Sequence, residues 1–134
     1  MGLKIVPDTL NGEFIIDSGT NLTVTGGSAE SGTGRVEGGE GLYLGSWHKL
    51  KKMTVNDATL TLAGGNAKTN STSSSSEAGV GMEGYPAPDT EITDSKVTVI
   101  GGDRTGGRTQ KARAVDITIG SKDSFKLDGD TTFT

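Results

Sequence analysis

The chain has no cysteine, few aromatic residues and few hydrophobic ones. Its 134 residues include one tryptophan, two tyrosines and three phenylalanines, and 31% of them are hydrophobic. Without cysteine, a disulfide framework and a thiolate metal site are both excluded. The small hydrophobic share predicts that a single large globular core would be thin in a chain of this length. The chain must therefore gain its order in another way.

Long apolar runs and an excess of positive charge are also missing. No stretch reaches the length of a membrane-spanning helix, and the first seven residues lack the apolar run of a secretory signal peptide. The formal net charge is -4. Nonspecific nucleic-acid binding needs an excess of Lys and Arg to neutralise phosphates. We therefore predict no membrane insertion and no nucleic-acid partner.

The chain also lacks the residue patterns that usually carry enzymatic chemistry. His48 is the only histidine, and it lies in a run of lysines, with no nucleophile-elbow motif in the sequence. The Gly-Gly pairs are not followed by the helical pattern that a phosphate-binding loop requires. We therefore predict no catalytic residue, no metal site and no cofactor, and a protein that is not an enzyme.

What the chain does contain is glycine in a regular pattern. Glycine occurs 22 times, and one phrase recurs as Leu-Thr-Val-Thr-Gly-Gly at 22–27, Leu-Thr-Leu-Ala-Gly-Gly at 60–65 and Val-Thr-Val-Ile-Gly-Gly at 97–102. The copies begin 38 and then 37 residues apart. Such a period is typical of stacked repeats. We expect the Gly-Gly pairs at the sharpest bends of the chain.

Two further segments recur with each copy of this phrase, at similar distances from it. They are 41–44, 79–82 and 114–117 after it, and 14–16, 53–55 and 91–93 before it. Within the phrase, apolar residues alternate with Thr, which is the period of a strand with one buried face, and no helical period is present. We therefore predict an all-β fold. Specifically, we expect a right-handed parallel β-helix (β-solenoid) with three to four coils and three short strands per coil of about 37 residues.

The whole chain, 1–134, is predicted to be a single β-solenoid domain. Residues 127–134 align with 16–23, so a fourth coil begins there. Open solenoid ends expose strand edges and apolar surface. We therefore expect a fragment of a longer repeat protein, with self-association or further repeats at the open ends. The polar segments 28–40 and 66–78 are expected to be exposed loops.

Aromatic residues give the candidate ligand-binding site. Trp47 and Tyr85 each follow an aligned apolar residue, Leu42 and Val80, by five positions. We therefore expect them to stack on adjacent coils at one corner, with Tyr43 nearby. Aromatic rings arranged in this way bind the apolar faces of sugars. The alternative is that the rings only cover the turn and shield the edge of the core.

Charged residues cluster at the corners and in the connections. Asp57 and Asp94 align with Gly19, which predicts tight turns in preference to a cation site. Two basic clusters lie at 48–52 and 104–113, in connections between strands. We expect solvated loop charge there, with contact to an anionic glycan or phosphate as the alternative.

The repeat phrases resemble a known class of sequence. Leu-Thr-Val-Thr-Gly-Gly at 22–27 and Glu-Ala-Gly-Val-Gly-Met at 77–82 are similar to the glycine-rich repeats of bacterial surface proteins, especially those of gut Firmicutes. Those repeats are described as carbohydrate-binding-domain or adhesin-like. The resemblance covers residues 14–120 and implies a non-catalytic binding or stalk module, extracellular or at the cell surface, with a glycan as its partner.

Other functions remain open at this point. A phage tail or receptor-binding spike would carry a trimeric β-helix, which predicts a trimer in solution. A polysaccharide-degrading β-helix enzyme needs a groove that spans many coils, so this chain would be a fragment of one. A passive spacer would bind nothing.

Overall fold

The computed structural model describes residues 2–5, 12–44, 50–85, 88–108, 110–111 and 113–134. This part of the chain is built entirely from short strands and the turns between them. The strands are β1 (Leu3–Ile5), β2 (Glu13–Ile16), β3 (Asn21–Thr25), β4 (Ala29–Ser31), β5 (Val36–Glu37), β6 (Leu42–Leu44), β7 (Lys52–Asn56), β8 (Thr59–Ala63), β9 (Ala67–Thr69), β10 (Ser76–Glu77), β11 (Met82–Gly84), β12 (Asp89–Thr93), β13 (Lys96–Ile100), β14 (Arg104–Thr105), β15 (Gln110–Lys111), β16 (Val115–Ile117), β17 (Phe125–Asp128) and β18 (Thr132–Phe133). Within these ranges there is no helix of the length and apolar character needed to cross a membrane.

The strands form five parallel sheets that run along a solenoid. In the order in which one coil visits them, sheet I holds β2, β7, β12 and β17; sheet II holds β3, β8, β13 and β18; sheet III holds β4, β9 and β14; sheet IV holds β5, β10 and β15; and sheet V holds β1, β6, β11 and β16. The repeated phrases lie in register, with Leu22 beside Leu60 and Leu60 beside Val97. The predicted parallel β-solenoid is therefore confirmed, with about three turns, and its right-handed sense stays a prediction.

Each coil has five strands where the sequence predicts three. Two of the three predicted segments form sheets I and II. The third predicts sheet V in the first and last complete coils, but in the second coil the strand β11 begins only at Met82, the last residue of the predicted segment 79–82. The other two strands lie in the segments expected to be loops, where β4 and β5 fall within 28–40 and β9 and β10 within 66–78. These strands are only two or three residues long, and their buried residues include Ala67, Thr69 and Ser76. Small and polar side chains give no apolar alternation from which a strand could be predicted.

Sheets I, II and V enclose a main lobe with an apolar core. Inward positions alternate with outward ones, so Val55 and Leu62 are completely buried while their strand neighbours are partly exposed. Like residues stack on successive coils, about 4.8 Å apart. Each fully buried aliphatic side chain of this kind stabilises the fold by about 1.5–3 kcal/mol. Most of the stability of the solenoid therefore comes from this lobe.

Sheets III and IV face each other in a small lobe that protrudes from every complete coil. Its buried residues are Val36, Ala67, Thr69 and Ser76. The hydroxyl of Thr69 donates to the carbonyl oxygen of Gly34 at 3.1 Å, and that of Ser76 to the carbonyl oxygen of Gly106 at 3.3 Å. Among the described residues, every buried polar side-chain atom has a hydrogen-bond partner. Hydrogen bonds in this lobe therefore add to the apolar packing of Val36 and Ala67.

A glycine waist joins the two lobes. Here the two passes of the coil bond directly, backbone to backbone: Gly39 N donates to Gly27 O, Gly65 N to Gly39 O, Gly79 N to Gly65 O and Gly102 N to Gly79 O, at 2.8–2.9 Å. A Cβ atom on Gly65 would lie 2.1 Å from the carbonyl oxygen of Gly27. None of these glycines has a positive φ. The repeated Gly-Gly pairs are therefore required for close approach of two backbones.

The acidic corners between sheets I and II are tight turns, as the sequence predicts. Asp57 and Asp94 have φ values of 47° and 48°, and Gly19 has a φ of 77°. Asp and Asn tolerate this left-handed conformation better than most residues because their short side chains bond to nearby groups. Asp94 Oδ1 accepts from the backbone N–H of Asp130 at 2.9 Å. These side chains are thus occupied in building the corner.

Candidate ligand-binding groove

The structure brings two of the three predicted ligand-binding residues to one surface. Tyr43 lies in the middle of β6, between the buried residues Leu42 and Leu44, so its ring points outward from sheet V. Tyr85 directly follows β11 and is half-buried. The predicted equivalence of Leu42 and Val80 is wrong, because the register pairs Leu42 with Met82. Tyr85 therefore follows the paired position by three residues, whereas Trp47 follows Leu42 by five. Trp47 itself lies outside the described residues, so its stacking with Tyr85 stays a prediction.

Outward residues of sheet V form a column along the solenoid. Lys4, Tyr43, Glu83 and Asp116 occupy equivalent positions on four adjacent strands. Tyr85 lies two residues beyond Glu83 and therefore on the same side of the sheet. Tyr85 thus lies just beyond the end of the neighbouring strand, two residues after Glu83, which is the residue paired with Tyr43.

A groove runs beside this column, where sheet V meets the glycine waist. We call it the Glu83 groove. One part, of about 280 Å³, is lined by Glu77, Ala78, Val80, Glu83, Tyr85, Arg113 and Asp116. A second part, of about 230 Å³, continues over Glu37, Gly38 and Glu40 and shares Glu77 and Glu83 with the first. The waist creates this concave surface because it narrows the coil between the lobes.

The groove is rich in carboxylates, and its described lining also includes the guanidinium of Arg113. Arg113 forms an ion pair with Asp116, three residues further along the chain. Burial raises the pKa of Glu83, and the negative charge of Glu40 raises it further, while Arg113 acts in the opposite direction. The burial of Glu83 in the groove therefore favours the protonated form of its carboxyl group.

A positively charged side chain, that of Lys4, lies over the ring of Tyr43 beside the groove. The ammonium of Lys4 lies 5.4 Å from the centre of the Tyr43 ring, in the geometry of a cation–π contact. This contact covers one face of the ring from the neighbouring coil. Tyr85 is the aromatic residue that lines the groove itself.

These groups can recognise a ligand with many hydroxyls. Ionised carboxylates accept hydrogen bonds and a guanidinium donates them in a fixed planar arrangement. An aromatic ring packs against the apolar face of a sugar. Within the described residues, no three acidic or histidine side chains come together in a way that could hold a metal ion. The carboxylates, the guanidinium of Arg113 and the ring of Tyr85 together suit the groove to a polar organic ligand.

One basic residue of each of the two basic clusters is paired with a carboxylate. His48 and Lys49 of the first cluster lie outside those residues. Lys52 donates to Glu91 at 2.7 Å across two strands of sheet I, and Lys51 is exposed at the preceding turn. Arg113 of the second cluster is engaged by Asp116. Contact with an anionic glycan through these clusters stays a prediction.

Sequence reasoning missed the charged half of the groove. Glu83 directly follows the aligned segment 79–82, so the alternation of buried and exposed residues could have placed it outward. Its position beside Tyr43 could not be predicted, because the alignment of 79–82 with 41–44 differs from the observed register by two residues. Arg113 and Glu40 lie at equivalent positions two coils apart. The third coil is shorter than the others, so the sequence spacing does not show this equivalence.

No family model, no curated protein and no solved structure matches the chain.

Proposed function

We propose that the chain is a non-catalytic binding module that holds a glycan in the Glu83 groove. One observation carries the proposal: Tyr85, two carboxylates and the Arg113–Asp116 pair line a single concave surface, with Tyr43 beside it. Sugar sites combine an aromatic ring with a few fixed hydrogen-bonding groups in this way. The sugar ring would pack on Tyr85 while its hydroxyls bond to Glu83 and Arg113.

The solenoid supports a role as an extended scaffold for this site. Each coil repeats the same backbone, so outward residues can change without altering the main-lobe core. The resemblance of the repeat phrases to bacterial surface proteins supports a location outside the cell or at its surface. We therefore propose that the module belongs to an adhesin-like surface protein and presents its groove to external glycans.

The absence of catalysis is proposed on the chemistry of the groove. Glycoside hydrolysis needs two carboxyl groups, one as acid and the other as base or nucleophile. Glu83 and Asp116 are neighbours on adjacent strands, but Asp116 is held by the guanidinium of Arg113. Pairing with a guanidinium lowers the nucleophilicity of a carboxylate. In this proposal Glu83 and the other carboxylates of the groove, Glu77, Glu37 and Glu40, accept hydrogen bonds from the hydroxyls of the glycan.

A glycan-array screen tests the proposal. The wild type should bind a restricted set of neutral glycans, because the net negative charge of the groove repels anionic ones. Tyr85→Ala should lower the affinity at least about tenfold, as expected when a stacked ring is removed. Tyr85→Phe keeps the ring and should retain most of the affinity.

A matched control separates the groove from the rest of the surface. Thr61→Ala alters an outward residue of β8 in sheet II, away from the groove, and should leave binding unchanged. Affinity that survives in a Tyr43→Ala/Tyr85→Ala double variant would overturn the proposed site. Failure of the folded wild type to bind any glycan at millimolar concentration would overturn the proposed function.

A further inference from the structure

The Glu83 groove carries more negative charge than its described cations balance. Its lining holds the guanidinium of Arg113 and the carboxylates of Glu37, Glu40, Glu77, Glu83 and Asp116. A ligand that carries only hydroxyl groups leaves this imbalance unchanged. The excess of negative charge is therefore a property that a ligand with the opposite charge can complement.

Three of these carboxylates have a cation beside them. The pairs are Asp116 with Arg113, Glu37 with Arg35 and, as neighbours in the register of sheet IV, Glu77 with Lys111. These three carboxylates do not need a charge from a ligand.

Glu83 and Glu40 differ from the other three, because no described side chain forms an ion pair with either of them. Both are partly buried. Burial raises the pKa of Glu83 and the charge of Glu40 raises it further, while Arg113 opposes these effects less strongly. The two carboxylates therefore repel each other in the groove. A cation bound beside both would relieve that repulsion.

An aromatic ring lies beside this pair of carboxylates. Tyr85 follows Glu83 by two residues and lines the same part of the groove. The face of an aromatic ring attracts an ammonium group. The protein already makes such a contact on this side of sheet V, where the ammonium of Lys4 lies 5.4 Å from the centre of the Tyr43 ring. Tyr43 is in turn the strand neighbour of Glu83. The surface around Glu83 thus has the groups that hold an alkylammonium.

We propose that the glycan held most tightly in the Glu83 groove carries a free amino group, as an amino sugar does. This inference rests on the proposed function and names the class of its ligand. The sugar ring packs on Tyr85, and its ammonium donates hydrogen bonds to Glu83 and Glu40. Acetylation of the amine removes its charge and two of its three donors.

An amino sugar uses the groove more fully than a simple amine does. Arg113 repels an ammonium but donates hydrogen bonds to a hydroxyl oxygen. The two connected parts of the groove, of about 280 and 230 Å³, also leave room for more than one small cation. A ligand with one ammonium group and several hydroxyls therefore matches both the charged and the uncharged requirements of the lining.

Paired glycans that differ only in an N-acetyl or a free amino group test the inference. Oligomers of N-acetylglucosamine and their de-N-acetylated counterparts are such a pair. Binding is measured at about pH 6, above the ordinary pKa of a carboxyl group and below that of an amine. We expect the neutral N-acetyl form to bind and the amino form to bind at least about tenfold more tightly. Added salt should reduce this preference, because ions screen charges on an open surface.

Substitution of the two carboxylates shows whether they cause the preference. Glu83→Gln and Glu40→Gln keep the size of the side chain and remove its charge. Each should lower the ratio of the two affinities about threefold, and the double variant should bind both forms about equally. Glu30→Gln is the matched control, because Glu30 pairs with Lys68 outside the groove and its loss should leave the ratio unchanged. Thermal unfolding should confirm that all variants fold.

The outcomes separate this inference from the proposed function. Equal or tighter binding of the N-acetyl form by the wild type would overturn the inference and leave the proposed function in place. Failure of the folded protein to bind any glycan, acetylated or not, would overturn both. An equal loss of preference in Glu30→Gln and Glu83→Gln would also overturn the inference, because the net charge of -4 of the whole chain would then attract the amine.

Discussion

The main lobe and the small lobe solve the same packing problem with different chemistry. In the main lobe, residues such as Leu62 and Val55 are fully buried among other apolar side chains. In the small lobe, Thr69 and Ser76 are buried to a similar degree, and their hydroxyls bond to backbone carbonyls. The comparison shows that a solenoid needs equivalent packing on every coil, and that apolar side chains are only one way to achieve it.

A substitution that disrupts the glycine waist should lower the free energy of unfolding more than a change within either lobe. In Gly65→Ala, the new Cβ would lie 2.1 Å from a backbone oxygen, which no change of rotamer can relieve. We expect a loss of about 3 kcal/mol in the free energy of unfolding, at the upper end of the usual cost of overpacking. Urea denaturation measures the loss, and hydrogen exchange should show faster exchange in sheets III and IV than in sheet I.

The neighbouring glycine provides the matched control. A Cβ on Gly27 would meet no atom within 4 Å. Gly27→Ala should therefore change stability by less than about 0.5 kcal/mol, as at an ordinary surface position. Equal losses in the two variants would show that backbone flexibility, and not close approach at the waist, explains the repeated pairs.

Exchanging the chemistry of the two cores should have an intermediate effect. Thr69→Val keeps the shape but removes the bonds to Gly34 O and from Ser71 N, and should cost about 1–2 kcal/mol. Val55→Thr places a hydroxyl in the apolar core of the main lobe and should cost about 1–3 kcal/mol. Both are measured by urea denaturation. A Thr69→Val variant more stable than the wild type would mean that the small lobe is held by apolar packing alone.

The smallest expected change in stability is that of a substitution at Glu83, which lies where the lobes meet. Burial raises its pKa, so its contribution to stability is complete below the pKa of the unfolded chain and is lost as the pH rises through the folded pKa. Glu83→Gln should therefore gain stability relative to the wild type as the pH rises through that range. The gain should be a few tenths of a kcal/mol, because solvent screens a half-exposed group.

Glu91 gives a control of opposite sign. The hydrogen bond and the charge of Lys52 lower the pKa of Glu91. Its contribution is therefore present above the unfolded pKa and is lost as the pH falls through the folded pKa. Thermal unfolding of Glu91→Gln and Glu83→Gln across the acidic range should give differences from the wild type with opposite pH trends. Parallel trends would contradict the assigned causes.

Sequence patterns predict the main lobe well because its chemistry is periodic. Leucine, valine and threonine alternate in the repeated phrases, and the structure places Leu22, Leu60 and Val97 in one register. The small lobe escaped prediction because Ala67, Thr69 and Ser76 look like loop residues until their backbone partners are known. For the groove, Tyr43 and Tyr85 stand out as rare aromatic residues. Glu83 and Arg113 become neighbours only when the register between coils is known.

The segment of each coil beyond the waist varies in length, whereas the register of the main lobe stays the same. Between the strands of sheets II and V, the three coils carry 26–41, 64–81 and 101–114, so their lengths differ while sheets I, II and V stay in register. Insertions and deletions are absorbed beyond the waist, where the chain leaves and re-enters the main lobe at fixed points. Peptide segments of varied length could therefore be grafted at the tip of the small lobe without redesigning the core.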